Sequence, residues 1–212
     1  GNFGLTDLFN PAFVNARVGG VFPVTPGPVV DYVLVRALDD WLAALLIGMG
    51  QPGLTYWEPA FSDEVRVLLH EAFDALVQAS LEQPRVFVHR DYHSRNLMVV
   101  GERNPGIIDF QDAVAGPITY DLVSLLRDCY IRWPRERIEE WALGYQDLAL
   151  QSGILREEHE DPKQFLRWFD LMGVQRHLKA AGIFARLNHR DGKPGYLGDI
   201  PRTLGYVVEV AA

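Results

Sequence analysis

The stretch His89-Arg90-Asp91-Tyr92-His93-Ser94-Arg95-Asn96, followed by Ile107-Ile108-Asp109-Phe110, decides how this chain is read. The β-prone run Arg85-Val86-Phe87-Val88 feeds directly into it, and Asn96-Leu97-Met98-Val99-Val100 is a second such run. Residues 101–106 read as a turn and Gly106-Ile107-Ile108-Asp109-Phe110 as a third strand, so the last two runs predict a β-hairpin. The octet therefore sits on a loop between strands, where a rigid scaffold can aim side chains. Asp91 is followed five residues later by Asn96 and thirteen beyond that by Asp109. Phosphoryl transfer to a hydroxyl uses such a set: a carboxylate to accept the hydroxyl proton, and an amide plus a second carboxylate to hold magnesium.

Outward from the octet the chain becomes helical. After Gly116-Pro117, helices are predicted over about 120–130, 135–151, 162–187 and 200–210. Upstream, Ser62 reads as a cap, with Asp63 and Glu64 in a first turn where the helix dipole favours acids. Val65, Leu68, Leu69, Ala72, Phe73, Leu76 and Val77 recur at helical spacing toward Pro84. Residues 1–30 are dense in Gly and Pro and read as loops; a helix is expected over about 32–47. The fold class expected is α+β, mostly helical, with a small β-hairpin at the loop. Residues 1–60 form a separate N-terminal segment and 61–212 the main lobe.

Composition narrows the setting. A chain of 212 residues with 48% hydrophobic and 23% charged residues is an ordinary globular protein. A net charge of −8 disfavours nucleic acid as the main partner. Cys129 is the single cysteine, which excludes an internal disulfide and suits a reducing cytoplasm. No apolar run approaches the roughly 20 residues that span a bilayer, and no leader is expected; the membrane is not an expected partner.

Role assignment follows residue chemistry. Asp91 is the expected base, and Asn96 and Asp109 are the expected magnesium ligands. His89 is expected to brace the loop through its ring. Asp121, at a helix start, is expected to support the structure by capping or by receiving N–H groups of the loop. His93, Arg95, Asp128 and Arg176 are candidates for reading the acceptor, though a solvated face explains such charges as well. Asp112 is either a third metal group or a turn cap. Residues 188–195 are either an exposed turn or a wall of the acceptor pocket.

The spacing His89-x-Asp91-x-x-x-x-Asn96, then Asp109-Phe110, resembles the kinase signature. Residues 86–133 look like the aminoglycoside phosphotransferase and choline kinase-like group of small-molecule kinases. The runs Val-His-Arg-Asp-Tyr-His-Ser-Arg-Asn-Leu-Met, Ile-Ile-Asp-Phe-Gln-Asp-Ala and Gly-Pro-Ile-Thr-Tyr-Asp-Leu-Val-Ser-Leu-Leu-Arg-Asp-Cys-Tyr resemble the bacterial anomeric sugar kinases of cell-wall recycling. That likeness extends over about 62–212. It implies a protein kinase-like C-terminal lobe, ATP as co-substrate, and an amino sugar such as N-acetylmuramic acid or N-acetylglucosamine phosphorylated at its C1 hydroxyl. It also implies Asp91 as base and Asn96 and Asp109 as metal ligands.

The front of the chain departs from the family. Members carry a β-rich lobe with a phosphate-covering loop and a strand lysine, whereas the first lysine here is Lys163. The expectation is a lobe that supplies base and metal ligands without the nucleotide grip, with self-association through the face where a second lobe would dock. Two other classes remain in play: a non-catalytic lobe binding a sugar or partner protein, and a metal-dependent hydrolase built on His89, Asp91, His93 and Asp109.

Overall fold

In the computed structural model, which describes residues 62–102 and 104–212, the run entering the octet is strand β1 (Arg85–Val88). The loops and helix expected over 1–60 lie outside the described residues, apart from which two compact units stand out. One is formed by Gln83–Asp170; the other joins residues 62–82 to Leu171–Ala212.

The first unit carries the four strands found among the described residues. Strands β2 (Leu97–Met98) and β3 (Gly106–Ile107) pair antiparallel, with Leu97 opposite Ile107 and Met98 opposite Gly106. This is the expected hairpin, shorter than predicted. Strand β4 (Val114–Pro117) pairs antiparallel with β1, Val88 facing Val114 and Arg85 facing Pro117. The sequence did not suggest β4, because Val-Ala-Gly-Pro has little local strand preference and its pairing partner lies about thirty residues away. Gly116 answers to this pairing: a Cβ there would sit 3.1 Å from a Val88 methyl, so the strands approach closely only with glycine.

Helix α2 (Thr119–Leu126) follows β4 at once, numbering from α1 of the second unit. It stops four residues before the expected end. Arg127 leaves helical geometry at φ −117°, ψ 49°, and the Asp128 carboxylate takes the Tyr130 N–H at 3.0 Å, the local side-chain turn that competes with helix. Helix α3 (Arg135–Gln151) buries Ile138, Ala142, Gln146 and Ala149, one stripe at helical spacing. Gln146 is tolerated inside because its amide donates to the His159 carbonyl at 2.8 Å.

Helix α4 (Pro162–Asp191) belongs to the first unit up to Asp170 and to the second thereafter. It runs four residues past its predicted end, so residues 188–191 are helix rather than loop. The polar run Asn-His-Arg-Asp tolerates helix, and the stop comes at Gly192, whose φ of +64° reverses the chain while its N–H reaches the Asn188 carbonyl at 3.1 Å.

In the second unit, α1 (Asp63–Leu81) packs Phe73 and Leu76, with Leu69, against Leu171, Val174 and Leu178 of α4. Its predicted apolar stripe is buried only in the second half; Val65 and Leu68 are exposed. Helix α5 (Ile200–Ala211) sets Ile200 and Leu204 on Ala181 and Ala185, and Tyr206 stacks on His177 at 4.6 Å. Burying each large side chain contributes about 1.5–3 kcal/mol.

Candidate active site

The octet leaves β1 through a reversal that the chain must force. Arg90 holds φ +77°, a left-handed conformation costly for a residue with a Cβ. Two hydrogen bonds impose it: the Asp121 carboxylate accepts the His89 N–H at 2.6 Å and the Arg90 N–H at 3.0 Å. Asp121 lies in the first turn of α2, which follows directly on β4, so the β1–β4 pairing carries the carboxylate to the start of the loop. Its charge and burial push the Tyr92 phenol up to about 12, burial being the larger cause.

His89 is buried, and its Nε2 lies 3.0 Å from the Ile108 carbonyl. A carbonyl only accepts, so Nε2 carries the proton and, among the described residues, the buried Nδ1 has no partner. The ring thereby ties the octet to the residue preceding Asp109. Tyr92 packs edge-on against it, ring centroids 5.8 Å apart.

Asp91 stands half-buried after this reversal, with its carbonyl accepting the Asn96 side-chain NH2 at 2.9 Å. That bond fixes the amide so that Oδ1 is the atom left to act as a ligand. The Ile108 N–H donates to the Asn96 carbonyl at 3.2 Å, continuing the β2–β3 ladder by one step. The hairpin therefore delivers Asn96 and Asp109 at the same end. Asp109 has φ +65°, the second left-handed non-glycine residue among those described, after Arg90. It is exposed; Gln111 donates to its Oδ1 at 2.6 Å, leaving Oδ2 open. One amide oxygen and one carboxylate, both hard donors with room for waters and phosphate oxygens, suit magnesium.

Three or more His, Cys, Asp or Glu side chains nowhere converge among the described residues, so the hydrolase reading on His89, Asp91, His93 and Asp109 has no metal cluster to rest on. Asp112 is exposed, and Arg90 Nη1 lies 3.5 Å from its backbone carbonyl oxygen.

The far end of the octet is held from a second carboxylate. Asp128, 3% exposed, accepts the Ser94 N–H at 3.1 Å and the Ser94 hydroxyl at 2.5 Å on Oδ2, and the Tyr130 N–H on Oδ1. Both oxygens of this residue, expected from sequence among the acceptor-reading candidates, are engaged by donors inside the protein. Arg95 is exposed and sits over the Tyr130 ring, its guanidinium carbon 3.4 Å from the ring centroid. His93 meets the same ring edge-on at 6.0 Å. Arg176 belongs to the second unit, on α4. Sequence reasoning did not single out Ser94 or Tyr130. The available signal was Asp128 standing seven residues, two helical turns, after Asp121.

Residues 34–160 match the phosphotransferase enzyme family. The chain is 44% identical to the N-acetylmuramate/N-acetylglucosamine kinase of Pseudomonas aeruginosa, over 97% of this chain and 59% of that protein. It is 45% identical to that of Pseudomonas putida, over 87% and 52%, and 51% identical to that of Neisseria meningitidis, over 69% and 43%. The chain thus spans about half the length of the curated relatives it matches. In three dimensions it resembles an ethanolamine kinase of Plasmodium vivax with a TM-score of 0.56 at 14% identity, covering 99% of this chain and 61% of that one.

Proposed function

The chain belongs to the phosphotransferase enzyme family, and from that premise we propose that it forms the base-bearing and metal-bearing part of an ATP-dependent kinase for an amino sugar, acting at the C1 hydroxyl. The observation that carries this reading is the placement of Asp91 between two ends of one loop that also bears Asn96, with the hairpin bringing Asp109 to the same end. The names of the relatives supply the sugar: N-acetylmuramic acid or N-acetylglucosamine. A single cysteine suits a reducing cytoplasmic setting.

In this mechanism Asp91 accepts the proton of the acceptor hydroxyl and orients its oxygen. Asn96 Oδ1 and Asp109 Oδ2 would hold magnesium, which when bound neutralises charge on the nucleotide phosphates. His89 and Asp121 keep the loop in its reversed form. Arg95 and His93, gathered on Tyr130, offer donors and positive charge to the acceptor's polar groups. The exposed apolar side chains Met98, Val99, Ile108 and Phe110 near the metal ligands suit the flat base of a nucleotide.

A coupled ADP-release assay with each sugar, on this chain and on the chain joined to a nucleotide-binding lobe, tests the proposal. Asp91→Asn is expected to lower turnover by about 100-fold or more. No turnover from either form, or turnover indifferent to Asp91→Asn, overturns it.

A further inference from the structure

We infer that Asp128 is a positioning residue of the phosphotransfer site, acting through Ser94 and Tyr130; the inference rests on the kinase reading for its effect on turnover. The octet is a loop with a carboxylate clamp at each end. Asp121 holds His89 and Arg90 at the entry, and Asp128 holds Ser94 at the exit, with Asp91 and Asn96 on either side of that exit point. The two clamps have different chemistry. Asp121 uses one oxygen for each of two N–H groups. Asp128 Oδ2 takes both the N–H and the hydroxyl of Ser94, so it fixes that residue's backbone and side chain together. Its Oδ1 takes the Tyr130 N–H and so fixes the ring on which Arg95 and His93 lie.

One carboxylate thus sets the exit of the catalytic loop and the aromatic surface beside it. Burial strengthens the bonds, since water cannot compete for either oxygen. The clamp is itself anchored. The neighbouring Arg127 is buried and donates to Asp170 at 2.5 Å, which Arg135 also grips through both its oxygens, so the end of α2 is fixed to α3 and α4. Three donors converge on Asp128, and an asparagine of the same shape has one oxygen and an NH2 that would face a donor. Asn is therefore not a conservative replacement here.

The test combines amide hydrogen exchange with steady-state kinetics on the chain in the form that shows turnover. Asp128→Asn is expected to speed exchange of the Ser94–Asn96 and Tyr130 amides about tenfold or more, with α3 unchanged. Ser94→Ala, which removes one of the bonds and keeps the others, is expected to do so to a smaller degree. The double variant should match Asp128→Asn alone, because the hydroxyl then has no carboxylate to lose. In kinetics kcat should fall about tenfold or more, with any rise in the sugar KM smaller than the fall in kcat.

A rise in sugar KM at constant kcat would make Asp128 an acceptor ligand and overturn the inference. So would unchanged exchange in the loop. Should Asp128→Asn fail to fold, Ser94→Ala decides, since it deletes one hydroxyl. Should no form phosphorylate a sugar, the kinase reading fails, while the exchange pattern still decides whether Asp128 positions the loop.

Discussion

The Asp121 carboxylate stands 2.6 Å from the backbone nitrogen of His89, thirty-two residues earlier in the chain. With the Arg90 N–H on its other oxygen, it compensates the left-handed Arg90 backbone that turns the loop. Replacing Asp121 by alanine leaves two N–H groups without their acceptor and releases the strained residue. The expected loss is about 3 kcal/mol of stability, measured as a fall in the urea midpoint.

Asp109 allows strain and chemistry to be separated. Its φ of +65° suits glycine, which normally destabilises ordinary backbone by about 0.5–1 kcal/mol. Asp109→Gly is expected to be at least as stable as the wild type in thermal unfolding, while magnesium-dependent activity is lost. A loss of stability would mean that the left-handed backbone stores no strain relevant to the metal ligand.

The Asp170 carboxylate joins a buried arginine to a surface one. Arg127 is 2% exposed, whereas Arg135 is 41% exposed and also pairs with Glu139. Removing the carboxylate takes this counter-ion from the buried guanidinium, so Asp170→Ala is expected to cost about 3 kcal/mol. Arg135→Ala removes a solvent-screened partner and is expected to cost under about 1 kcal/mol. Chemical denaturation of the two variants distinguishes them, and equal losses would contradict the assignment of burial as the cause.

Alkaline pH addresses Tyr92. Its phenol is raised to about 12 in the fold by burial and by Asp121, above the ordinary value of 10. The unfolded chain therefore loses this proton first, so the stabilisation is complete below pH 10 and is lost as pH rises toward 12. Tyr145 is shifted in the same direction, also chiefly by burial. Tyr92→Phe is expected to flatten the decline of the urea midpoint between pH 9.5 and 11.5, by roughly 2 kcal/mol at the upper end. An unchanged slope would assign the decline to other groups.

Much of the site's scaffold was legible because its signals are local. The β-prone run Arg85-Val86-Phe87-Val88, the turn before Gly106 and the helical stretches of α3 and α5 are properties of neighbouring residues. Helix ends were less legible. The end of α2 depends on a side-chain bond from Asp128, and the end of α4 on where Gly192 could take positive φ. The roles of acidic residues were the least legible. Asp128 looks from sequence like any other charge late in a helix, and its three donors come from contacts that local spacing does not show.

The sequence by itself determined which residue types could do the chemistry, since the Asp91, Asn96 and Asp109 spacing is written along one short stretch. It also determined that they stand on a loop and a hairpin. Tertiary structure decided what holds them there. The β1–β4 pairing and the clamps from Asp121 and Asp128 connect residues about thirty positions apart. Such contacts form only after long loops close, and they depend on register and burial rather than on any preference of the residues taken singly.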